Sequence, residues 1–150
     1  MKRAHTIIAT AISISALLAA PMAHALQITN FDKLTRKQIE QSYYFDWNRN
    51  STFRASIIKA FSASGISIPT WLHRGGGPSA PSQVIDSGST HFVLLNTCKQ
   101  HECSENNVYV LFDPATKATA LAGKLDDKPV WIGVKNPTVK QILSNASGLR

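Results

Sequence analysis

Hydrophobic and polar positions divide the chain into stretches of different rhythm. Thr6–Ala20 is almost continuously apolar, with Ile7, Ile8, Ile12, Ile14, Leu17 and Leu18 as its bulk. From Leu26 to Asn50 polar and aromatic residues mix without a sustained period, and only Thr35–Gln41 carries weak helix signals. Phe53, Ile57, Ala60 and Phe61 then recur at helical spacing, with Ser51 placed as an N-cap and Gly65 as a terminator, so an amphipathic helix is predicted over Thr52–Ser64. Ile68-Pro69-Thr70-Trp71-Leu72 and Gly75-Gly76-Gly77-Pro78 are too rich in Pro and Gly for regular structure and read as irregular backbone.

Beyond Pro81 the rhythm becomes that of strands. Gln83–Ser87, Thr90–Thr97, Asn107–Phe112, Ala118–Leu125 and Val130–Val134 are predicted strands, and Val108, Val110 and Phe112 alternate strictly. Asp113-Pro114 and Asp126-Asp127-Lys128-Pro129 supply turns, and Asn136-Pro137 opens a last short helix to Ser144 as N-cap and first helical residue. Successive strands on short links favour an antiparallel meander. The predicted class is α+β: a single domain with an antiparallel meander of about five strands, a long helix packed on it and short flanking helices.

The apolar stretch at the start belongs to a different story. Lys2 and Arg3 precede it, Pro21 ends it, and Ala23-His24-Ala25 is a small-x-small cleavage site, which is the layout of a secretory signal peptide. Thr10, Ser13 and Ser15 dilute the run below what a membrane-spanning helix needs. The expected division is therefore a leader at 1–25, cleaved after Ala25, and a working domain at 26–150. Removing 25 of the 150 residues leaves 125, and with Lys2 and Arg3 gone the formal charge falls from +7 to +5. A chain of that size buries enough surface for one core. Export makes nucleic acid an unsuitable partner, and no aromatic-basic module for it is visible. Gly75-Gly76-Gly77 lacks the Lys-Ser/Thr of a phosphate-binding loop, and no nucleophile–base pair or paired carboxylates stand out, so the reading is not an enzyme, and no cofactor is expected.

Both cysteines of the chain lie in Cys98-Lys99-Gln100-His101-Glu102-Cys103, between the second and third predicted strands. Three chemistries suit such a pair. A disulfide fits an exported chain; closing so short a loop would stabilise the fold by only about 2 kcal/mol, so the bond would serve the shape of the loop more than the fold. A metal site would draw on Cys98, His101 and Cys103 with His91 or His73, but the spacing is not a usual zinc pattern, and an oxidising compartment removes the thiolates. A redox or nucleophilic thiol is the third, against which the C-x4-C spacing differs from C-x-x-C. A pinned tip would present the His101 side chain with little freedom left to lose on binding. Lys99, His101 and Glu102 then offer two cationic groups and one anionic group to an acidic cleft.

This loop resembles the C-K-P-H-D-C loop of the Ivy family, inhibitors of vertebrate lysozyme from the periplasm of Gram-negative bacteria. Ile68-Pro69-Thr70-Trp71-Leu72, Gly75-Gly76 and Pro81 are similar to that family's L-P-x-W-V, G-G and P-A segment. Phe53–Phe61 fits its preceding helix, and Val108–Leu111 and Trp131 fit its later strands. The resemblance implies a periplasmic inhibitor of c-type lysozyme that acts on peptidoglycan breakdown. It also implies that Cys98, Lys99, Gln100, His101, Glu102 and Cys103 form the inhibitory loop, with Cys98 and Cys103 disulfide-bonded. The loop histidine of the family enters the lysozyme cleft and engages its catalytic carboxylates; by position that residue is His101. Gln100 stands where the family has Pro, and Glu102 where it has Asp. C-type lysozymes are typically basic and the working domain is positive, so recognition must be local rather than steered by long-range charge.

Two other functions remain. A regulator of endogenous lytic transglycosylases would use the same loop against another catalytic carboxylic acid. A cationic envelope-binding protein would require Arg49, Arg54, Lys59 and Arg74 to cluster, for which a solvated face is the simpler account. The resemblance also admits a homodimer. The aromatic segment Tyr43–Trp47 suits either core or contact surface, with core favoured.

Overall fold

A computed structural model of the protein describes residues 27–150; the leader expected at 1–25 lies outside them. Strands β1 (Gln83–Ser87), β2 (Thr90–Cys98), β3 (Asn107–Asp113), β4 (Ala118–Leu125) and β5 (Lys128–Ile132) form one sheet in chain order. Every neighbouring pair is antiparallel. Among the described residues a short 3-10 helix (Phe31–Lys33) and four α-helices precede the sheet: α1 (Arg36–Glu40), α2 (Tyr44–Asn48), α3 (Ser51–Ser64) and α4 (Thr70–His73). One follows it, α5 (Pro137–Ser147). The chain is thus α+β, a single sheet with helices, as its hydrophobic rhythm predicts.

Register sorts the strand residues into two apolar faces. Val93 pairs with Phe112, Leu95 with Val110, Val110 with Leu121 and Leu121 with Ile132, all in one buried cluster. Leu94 pairs with Leu111 and Leu111 with Ala120 in a second cluster. Because side chains alternate along a strand, each apolar face needs its own cover. Phe53, Ile57, Ala60 and Phe61 of α3 cover the first. Val139 and Leu143, four apart on α5, cover the second. The last helix is therefore a full packing layer, a role its length and polar surroundings did not signal. A hydrogen bond of 2.5 Å between the Ser56 and Thr119 hydroxyls ties α3 to β4.

The aromatic segment is mainly core. Tyr44 and Trp47 are wholly buried, while Phe45 is 40% exposed. The Trp47 ring stacks on Phe31 at 5.6 Å and meets Phe53 and Phe112 edge-on at 5.8 and 5.9 Å. Its Nε1 donates to the Ser42 hydroxyl at 2.7 Å, so the one polar atom of the indole is satisfied inside the core. Burial raises the Tyr44 phenol well above its ordinary pKa.

Several boundaries differ from expectation for local reasons. Asn50, not Ser51, caps α3: its side-chain oxygen accepts from the Thr52 and Phe53 amides, and its amide donates to Ile28 O at 2.8 Å. Gly65 ends that helix in the left-handed region, as expected. Only Asp126 and Asp127 form the last hairpin turn, both at positive φ, so the strand expected at Val130–Val134 runs instead from Lys128 to Ile132. Pro129 fits because β5 is an edge strand. The last helix continues past Ser144 to Ser147, where Gly148 caps it at φ 71°. The segment read as irregular contains the four-residue helix α4.

Phe112 lies where both preceding layers meet the sheet, with ring centres 5.0 Å from Phe31 and 5.2 Å from Phe53. Truncation to Ala should lower the folding free energy by about 3–5 kcal/mol. Urea denaturation with the disulfide intact measures this; a loss below 1 kcal/mol would mean that the cluster contributes little.

Candidate functional site

The β2–β3 pairing ends with Cys98 opposite Asn107, and residues 99–106 form the connection. A disulfide joins Cys98 to Cys103 with Cα atoms 5.0 Å apart. The bond spends both thiols, leaving neither thiolate ligands nor a reactive cysteine. Inside the closed loop the Glu102 amide donates to Lys99 O at 3.0 Å, which makes a turn of Lys99-Gln100-His101-Glu102. His101 is its third residue and has φ 68°. That position takes positive φ in a type II turn and ordinarily holds Gly or Asn. Gln100 holds the second position, which in such a turn suits φ near −60°.

Within the loop the charged groups do not all face outward. Glu102 Oε2 accepts from Lys99 Nζ at 2.8 Å and from Asn106 Nδ2 at 3.2 Å. Two of the three ionisable side chains expected at the tip are thus spent on each other. His101 is exposed and has no hydrogen-bond or ion-pair partner among the described residues. The arrangement is an imidazole held out on a strained, covalently closed turn, and strain of this kind, about 1–3 kcal/mol, persists only where the surroundings over-determine the backbone.

Asn106 supplies much of that determination, and sequence reasoning missed it. It is 3% exposed. Its amide N–H donates to Glu102 O at 2.9 Å, and its carbonyl accepts from the Lys99 amide at 2.9 Å. The side-chain oxygen accepts from the Asp126 amide at 3.0 Å, while the side-chain nitrogen holds Glu102. The Asp127 amide also donates to Glu105 O at 2.8 Å, so the β4–β5 turn buttresses one side of the loop.

The triglycine segment buttresses the other side. The Gly77 amide donates to Thr97 Oγ1 at 3.0 Å, and the Cys98 amide donates to Pro78 O at 3.1 Å. A Cβ on Gly77 would fall 2.5 Å from Cys98 O, and one on Gly76 would fall 2.2 Å from Thr97 Oγ1. Consecutive glycines were the only signal of this approach; their partner strand was not readable.

The fold and this site define a class: a single α+β domain that presents one rigid, disulfide-closed loop from the end of a hairpin. The chain belongs to the family described as Inhibitor of vertebrate lysozyme (Ivy), whose model matches residues 58–147. It is 29% identical over 90 residues to "Inhibitor of vertebrate lysozyme" of Pseudomonas aeruginosa, covering 51% of this chain and 59% of that protein. It is 28% identical over 90 residues to an uncharacterized protein of Yersinia pestis, covering 51% and 58%. It is 24% identical over 78 residues to "Inhibitor of vertebrate lysozyme" of Escherichia coli K12, covering 48% and 49%. The chain thus spans 49% to 59% of the length of these relatives.

Asn106→Ala should cost about 1–3 kcal/mol, the range for a buried hydrogen-bonding group deprived of its partner. Hydrogen exchange should quicken at the Glu102 and Asp126 amides. Unchanged exchange at both would show that Asn106 does not hold the loop.

Proposed function

We propose that this protein inhibits c-type lysozyme by inserting the loop Cys98–Cys103 into the active-site cleft with His101 leading. Membership of the Ivy family supports an inhibitor of lysozyme. The observation that carries the mode is His101: exposed, without a partner among the described residues, and held at positive φ on a closed turn. A retaining glycosidase has two carboxyl groups about 5 Å apart. One is protonated and one ionised during catalysis. An imidazole between them hydrogen-bonds both, takes the place of the scissile bond and removes the acid from service. The inhibitor performs no chemistry; occlusion and charge-assisted hydrogen bonds suffice. Preorganisation matters because a loop already ordered in the free protein loses little freedom on binding.

The same reading places the protein in the periplasm, exported by the leader and cleaved after Ala25. Lys99 and Glu102 act within it as braces of the loop, and Gln100 as a turn residue. Among the described residues no helix is long and apolar enough to cross a membrane.

Inhibition of bacterial cell-wall lysis by hen or human lysozyme tests the mode. His101→Ala should raise the inhibition constant about thirtyfold or more, as for a central hot spot. His101→Gly should lose inhibition equally while keeping or raising stability, since Gly relieves the positive φ. An alanine variant that inhibits like wild type refutes the plug. A wild type that inhibits no lysozyme, but does inhibit a lytic transglycosylase, moves the target and keeps the loop.

A further inference from the structure

On the far side of the triglycine wall lies a groove of about 710 Å³ lined by Phe45, Asn48, Arg49, Arg54, His73, Arg74 and the three glycines. It brings together three of the four cations whose clustering could not be read from the sequence; Lys59 lies elsewhere on α3. No carboxylate is among the lining residues, and none of the three arginines belongs to an ion pair among the described residues. Like charges gathered without a counter-charge repel one another, so an arrangement of this kind invites an anion.

Two of the three arginines are set in place by contacts of their own, while Arg74 stands exposed at the rim. Arg54 donates from Nη1 to Asn48 O at 3.3 Å, and Arg49 lies over the Phe45 ring at 5.6 Å. Asn48 Nδ2 donates to His73 O at 3.2 Å, fixing α4 against α2. The glycine backbone offers no donors here: the Gly75, Gly76 and Gly77 amides are already bound to Leu72 O, Trp71 O and Thr97 Oγ1. Recognition therefore falls to the guanidinium forks, which match tetrahedral oxyanions in pairs of hydrogen bonds, and to the His73 ring, which offers a single one. Three guanidiniums line the groove, more than one phosphate needs for bidentate pairing.

We propose that this groove is a binding site for clustered phosphate groups, as in a diphosphate. It is separate from the His101 loop and independent of the lysozyme reading. Such phosphates come either on a soluble ester or on a lipid headgroup, and the groove chemistry is the same for both.

Calorimetric titration of the whole chain with sodium pyrophosphate tests the site. Wild type should bind in a salt-sensitive manner, and Arg74→Gln should weaken binding about tenfold or more. Arg74 is exposed and makes no side-chain bond among the described residues, so the variant should keep its urea midpoint. Arg49→Gln serves as a second variant, and Lys59→Gln should bind like wild type. Sedimentation with phosphatidylcholine vesicles, with and without phosphatidic acid, distinguishes the sources. Arg-dependent sedimentation assigns the site to a headgroup, and pyrophosphate binding without it assigns a soluble ligand. Absent pyrophosphate binding, or binding equal in the Arg and Lys variants, overturns the proposal. So does loss of lysozyme inhibition in Arg74→Gln without any pyrophosphate binding, which would make the groove a face for the partner protein.

Discussion

Phe112 on the third strand is the point at which the helices that precede the sheet are held against it. Its ring meets Phe31, Phe53 and Trp47, which come from the N-terminal segment, the long helix and the short helix before it. Edge-to-face packing of this kind depends on angle as well as area, so it fixes how the helices lie and not only that they are buried. The strand that carries Phe112 begins at Asn107, directly after the loop. The register that seats the ring therefore also sets the height at which the loop leaves the sheet.

The loop is stiff for several reasons at once. Its disulfide closes a short ring, but the bond alone leaves the ring free to tilt. Asn106, the β4–β5 turn and the triglycine segment remove that freedom from two sides. Each anchor is a backbone or buried polar group, so the loop is supported by the fold and not merely tethered to it. A histidine in the left-handed region is affordable only under such support. Under the proposed plug, stability given up at the tip is the counterpart of a side chain presented for a partner.

Gly75–Gly77 serve two surfaces. One side touches the base of the loop, where a side chain at Gly76 would collide with Thr97 and one at Gly77 with Cys98. The other borders the basic groove, whose guanidiniums make no ion pair among the described residues. The positive charge of the chain is thus partly concentrated beside the loop, while the loop itself holds one internally balanced pair and one imidazole. Local arrangement, not net charge, distinguishes the two surfaces.

What could be read from residues alone was whatever depends on near neighbours along the chain. Strand positions followed from period-two alternation, the α3 helix from Phe53, Ile57, Ala60 and Phe61, and its end from Gly65. The cysteine pair and its histidine were visible because they lie within six consecutive residues. Even the local errors were local in cause: Asn50 out-competed Ser51 because it also reaches Ile28, and Pro129 joined a strand because that strand has a free edge. The remainder needed residues far apart to meet. Lys99 and Glu102 were known as charges, but their pairing depends on the turn at His101 and on Asn106, which Asp126 holds from twenty positions away. The covering of the second sheet face by α5, the approach of Gly77 to Cys98 and the gathering of Arg49, Arg54 and Arg74 arise the same way. Periodicity and turn chemistry act over a few residues, whereas burial and close approach are settled only when the whole core packs.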